Sequence, residues 1–137
     1  MGTIYAARSG ALSKWGADVG LGKNLFKLDY AEGTAEEAVK ALREEAHCGA
    51  TDWLLAAKQP AEDVDLAVAI ERLRKKEKMV DPALYPKLRG TVGVFKVKLT
   101  NVENSLMLQK ALEGMQVREI KLKPADIGAY LIANAMK

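Results

Sequence analysis

Cys48 and His47 are the chain's one cysteine and one histidine. A lone thiol excludes an internal disulfide and fits a reducing compartment. One thiol and one imidazole do not make a structural zinc site without carboxylates, and no spacing points to any. As neighbours on a predicted helix end the two point in different directions, which argues against a nucleophile and base pair. No Ser, His and Asp set assembles when His47 would serve it alone. Paired carboxylates at catalytic spacing are also lacking, since the acidic residues gather at predicted helix starts, where capping accounts for them. An enzymatic role is left open with no residue to carry it, and no metal or cofactor is expected.

Long apolar runs are missing as well. The first residues, Met1 to Arg8, lack the apolar centre of a signal peptide, and no stretch is long enough to span a membrane, so a cytoplasmic protein is expected. Ala6 stands where a myristoylation pattern needs Ser or Thr. Internal repeats and low-complexity segments are absent.

What remains is an ordinary globular composition, with 137 residues, 49% hydrophobic and 28% charged. It is long enough for one domain, residues 1–137, that buries roughly two thirds of its extended-chain surface. The formal charge of +3 permits an anionic partner without demanding one.

The carboxy-terminal third carries the clearest pattern. Phe95, Val97 and Leu99 alternate with Lys96 and Lys98, and Ile120 and Leu122 alternate with Lys121 and Lys123, the period of strands covered on one face. Between them a helix is predicted over 102–115, with Asn101 as N-cap, Leu108, Ala111, Leu112 and Met115 as its buried stripe, and Gly114 near its end. Pro124 and Asp126 suit the first turn of a last helix over 124–136. Two strands joined through a helix suggest a parallel crossover.

Upstream, strands are predicted over 3–7, 24–30 and 53–58. One helical turn is predicted over 11–15, a helix after the Thr34 and Glu37 capping box, a second over 61–79, and a loop over 80–90. The expected fold is α+β with alternating strand and helix order, a two-layer sandwich with helices on one face of a mixed sheet.

Three sets of residues are candidate sites. The glycine-rich stretch 16–24 resembles a phosphate loop but has Ala17 and Asn24 where that motif needs Gly and Ser or Thr. A looser anion contact by Gly20, Gly22 and Lys23, with Arg8 as a further charge, is what remains. Lys96, Lys98, Lys121 and Lys123 would share one face if their strands were neighbours in register. Phe95 points the other way, so the aromatic platform usual for single-stranded nucleic acid is missing, and nucleic-acid binding is disfavoured. The basic run from Arg72 to Lys78 is explained by a helix dipole. Finally, Leu106, Met107, Tyr130, Ile132 and Met136 widen the apolar surface of the last two helices beyond a narrow stripe, as at a contact between chains.

The leading expectation is therefore a non-catalytic accessory or interaction subunit, homo-oligomeric or part of a larger complex. A small-anion binder or enzyme using the glycine-rich loop is the alternative, and nucleic-acid binding by the lysine-bearing strands ranks last.

Overall fold

A computed structural model describes residues 2–114 and 121–136. The chain runs β1 (Thr3–Ser9), α1 (Gly10–Asp18), β2 (Leu25–Ala31), α2 (Ala35–Glu44), β3 (Trp53–Pro60), α3 (Leu66–Arg74), β4 (Lys78–Met79), β5 (Val94–Lys96), α4 (Leu99–Leu112) and α5 (Pro124–Ala135). Short 3-10 turns at His47–Gly49, Pro82–Leu84 and Pro86–Leu88 fill the connections. Helix starts follow local chemistry. The Thr34 hydroxyl accepts from the Glu37 amide at 3.2 Å, Ser9 Oγ from Leu12 at 3.1 Å, and Asp65 Oδ1 from Ala67 at 3.0 Å.

The fold is α+β, with five helices packed on one five-stranded sheet ordered β3-β1-β2-β5-β4. Two details differ from the expectation. Among the described residues every strand pair is antiparallel, and the second strand of the predicted parallel crossover lies mostly outside them. Both faces are also covered. Along β1, Ile4 and Ala6 enter a core with Ile70 and Leu73 of α3, Val102 of α4, and Leu131 of α5. Tyr5 and Ala7 enter a second core with Leu12 of α1, Val39 and Leu42 of α2, and Leu88. The half-covered picture came from lysines alternating over 91–100, yet β5 is only three residues long there and Leu99 already opens α4.

The strand predicted over 116–123 lies mostly outside the described residues, and Lys121, Leu122 and Lys123 within them are not in a strand. On the first face α5 sits close to β3 because Gly128 faces Ala56 and Ala57, where a Cβ would lie 2.8 Å from that of Ala57. Gly93 makes a similar close approach before β5. Its carbonyl accepts from the Leu28 amide at 2.8 Å, its φ is +94°, and a Cβ there would stand 2.5 Å from the Leu28 carbonyl oxygen. Both the backbone conformation and the clash demand glycine. Gly93→Ala is expected to destabilise the fold by about 2–4 kcal/mol, read as a lower urea midpoint with an unchanged slope.

Candidate functional site

The most distinctive surface is at the end of the sheet where β2 begins and β5 finishes. Lys78 of β4 and Lys96 of β5 are directly opposed in the antiparallel register, and Lys96 is opposed on its other side by Leu25 of β2. The Val97 amide donates to the Asn24 carbonyl at 2.9 Å, which carries the pairing past the strand and draws Lys23 and Lys98 to the same end. Lys76 arrives from the turn that closes α3, its amide bonded to the Leu73 carbonyl at 2.9 Å. Lys23, Lys76, Lys78, Lys96 and Lys98 thus line one open cavity of about 550 Å³, together with Gly22, Asn24 and Asn101.

Glu77 holds these segments together. It is 4% exposed, and its carboxylate accepts from the Lys98 amide at 2.6 Å, the Asn101 side-chain amide at 2.7 Å and the Tyr130 hydroxyl at 2.9 Å. Its charge is taken up by neutral donors facing inward. Burial raises the Tyr130 hydroxyl pKa above its ordinary value, and the Glu77 hydrogen bond and charge raise it further, so the phenol stays protonated and donating.

Ion pairs among the described residues join Lys27 to Asp29, Lys40 to Glu44, Lys58 to Glu36 and Arg74 to Glu71. None involves a lysine of the cavity. Like charges directly opposed across an antiparallel pair destabilise it, so Lys78 facing Lys96 without a carboxylate is a standing electrostatic penalty that a bound anion would relieve.

The three candidate sets fare differently. Gly22 and Lys23 of the glycine-rich loop share the cavity with Lys96 and Lys98. Gly20 is exposed at φ +84°, with nothing near the place of a Cβ. Arg8 lines a neighbouring cavity of about 220 Å³ that also contains Lys23. Lys121 and Lys123 do not join them as strand residues. Lys123 instead caps α5, its amide donating to Asp126 at 3.0 Å.

Among the apolar candidates, Met107 is 48% exposed, whereas Ile132 is 2% exposed and faces its own core. Leu106, Tyr130 and Met136 are half-buried against that core. Leu108 and Leu112, read from sequence as the buried stripe of α4, are 63% and 80% exposed, and Val102 and Leu106 point inward in their place.

His47 and Cys48 are not hydrogen-bonded to each other. Cys48 Sγ approaches Thr91 Oγ1 at 3.5 Å, and the His47 carbonyl accepts from Trp53 Nε1 at 2.9 Å. His47 Nε2 is buried without a partner. The sequence reading missed Lys27, which is 5% exposed and pairs with Asp29 at 3.2 Å on the second face of the sheet. Opposite charges two residues apart on a strand were the available signal. No group of His, Cys, Asp and Glu among the described residues is arranged to hold a metal. No helix among them is long and apolar enough to cross a membrane. No family's sequence profile matches the chain, and no curated protein and no solved structure matches it.

Burial, and then the charge of Lys27, hold the His47 pKa below its ordinary 6.5. The unfolded chain therefore takes up that proton first, and stability falls as pH drops below 6.5 until the lower folded pKa is reached. Glu36, hydrogen-bonded to Lys58, and Asp52, hydrogen-bonded to Ser9, are also depressed, and their contributions are lost in a separate, more acidic window. Urea midpoints at about pH 7.5 and about pH 5.5 should fall in the parent protein and stay nearly level in His47→Gln, with the acid limb kept in both.

Proposed function

We propose that the protein binds a polyanionic, phosphate-bearing ligand in the lysine cavity. The observation that carries this reading is that five lysines from three separate chain segments line one cavity and, among the described residues, none is in ion-pair contact with a carboxylate. Charge–charge repulsion of this kind lowers stability, so its concentration at one spot favours a role in binding over one in folding. Gly22 and Lys23 place the glycine-rich loop on the cavity wall. The site has the ingredients of anion capture. With Cys48 unpaired, a reducing cytoplasmic setting suits the protein.

Inorganic tripolyphosphate is the simplest probe. Titration calorimetry should show saturable binding, weakened about fivefold by Lys78→Ala and by Lys96→Ala and more by the double variant, with a ligand-induced rise in melting temperature that is largest for the parent and shrinks in the same order. Absence of any binding at low salt would remove the reading.

A second reading, an oligomeric interaction subunit, is favoured by α4, where Met107, Leu108 and Leu112 leave a continuous apolar strip in solvent. Light scattering at rising concentration tests it. A mass above one chain that Leu108→Lys with Leu112→Lys returns to one chain supports self-association, and one chain throughout speaks against it.

A further inference from the structure

We propose that the ligand of the lysine cavity is a single strand of nucleic acid, laid across the end of the sheet with its phosphates on the lysines. This rests on the anion reading above and narrows it.

The lysine cavity is the middle of a longer trough. On one side a cavity of about 150 Å³ shares Leu21, Lys78 and Lys96 with it and adds Leu84 and Tyr85. On the other, the cavity of about 220 Å³ shares Lys23 and Asn24 and adds Arg8 and Ser13. The trough therefore crosses the ends of β4, β5, β2 and β1 in their spatial order. Three steps between neighbouring strands of about 4.8 Å give a cation row roughly 14 Å long. A single phosphate would meet only part of such a row, whereas a row of this length matches an anion that repeats.

Charge and shape narrow the class further. Among the described residues Asp81 is the one acid lining any of the three cavities, and its Oδ1 accepts from the Ala83 amide at 2.9 Å. Beside the row, Tyr85 is half-buried with its ring set at 84° to that of Trp15, 5.6 Å away, and Leu84 is 72% exposed. Inorganic polyphosphate makes no use of an aromatic and apolar end, while an unpaired base stacks on such a surface. The lysines line a recess, which a flexible single strand enters and the rigid convex face of a duplex or the plane of a bilayer does not.

Fluorescence anisotropy with a labelled oligothymidylate of about 16 nucleotides tests this on the full chain, at roughly 50 to 300 mM KCl. Five phosphate contacts predict a slope of log affinity against log salt near −3.5, and Lys78→Gln with Lys96→Gln should reduce its magnitude by about 1.4. Tyr85→Leu should weaken binding about tenfold at an unchanged slope, with its melting temperature checked because Tyr85 touches the second core. The lysine variants change exposed side chains and do not depend on that check.

Tripolyphosphate bound at the same lysines with the oligonucleotide ignored would overturn the single-strand assignment and leave the anion site standing. So would a hairpin duplex held as tightly as the single strand, or phosphatidylglycerol vesicles bound in place of the oligonucleotide. Failure of both tripolyphosphate and oligonucleotide would overturn the two readings together.

Discussion

A buried carboxylate, that of Glu77, is the interaction on which the lysine-bearing end of the molecule depends. Taking an ionised carboxylate out of water is costly unless its oxygens are fully engaged. Here one oxygen takes the Lys98 backbone amide and the other the Asn101 side chain and the Tyr130 hydroxyl. These partners come from the turn into α4, its first turn, and the middle of α5. Each donor left unsatisfied in the interior would cost about 1–3 kcal/mol, so the carboxylate and its donors hold one another in place. The consequence reaches the surface. Lys76 and Lys78 flank Glu77 in sequence, and Lys98 is tied to it through the backbone, so pinning one acid inside forces three cations together outside.

The sheet tolerates this because its centre is secured on both faces. β1 lies between β2 and β3, and Ile4, Ala6, Tyr5 and Ala7 are each at most 2% exposed, alternate residues entering opposite cores. The second face is not wholly apolar. Lys27 and Asp29 lie there beside Tyr5, whose hydroxyl pKa is raised by burial and then by the Asp29 charge. The edges follow the usual precautions against strand addition, since β4 is two residues long and β3 carries an exposed Lys58.

Local signals made much of this legible. Short apolar runs gave β1, β2 and β3 within a few residues, the Thr34 capping box gave α2, and Pro124 with Asp126 gave α5. Errors arose at a local cap that the pattern passed over and where a distant contact decided the outcome. α3 begins only at Leu66 because Asp65 caps it, which shortened a helix expected from Ala61. α4 begins at Leu99, with Asn101 drawn away from a capping role to bond Glu77. Its inward face therefore follows Leu99, Val102 and Leu106 instead of Leu108 and Leu112. The alternation of Phe95, Val97 and Leu99 was real, but a strand pattern and the start of a helix are hard to separate over five residues. The cavity itself was not legible as a unit. Its lysines come from positions 23, 76, 78, 96 and 98, and the β4–β5 register, the Asn24 contact to Val97 and the Glu77 bond to the Lys98 amide bring them together.

Helix dipole, edge protection and solvation each account for some of these lysines and not for others. A helix dipole rewards cations in the last turn, which covers Arg72 and Arg74, and its effect fades within that turn. Lys76, directly after the Lys75 C-cap, still falls at the negative end of that dipole, whereas Lys78 belongs to β4 and lies beyond it. Protection of a sheet edge accounts for Lys78, since β4 is an edge strand. It does not account for Lys96, because β5 is paired on both sides, nor for Lys23, which belongs to no strand. Solvation alone would let these side chains spread apart, yet the backbone register sets Lys96 opposite Lys78, with no carboxylate in ion-pair contact among the described residues. Dipole and edge thus leave Lys23 and Lys96 without a structural account, and it is this remaining positive charge that the proposed anion would offset.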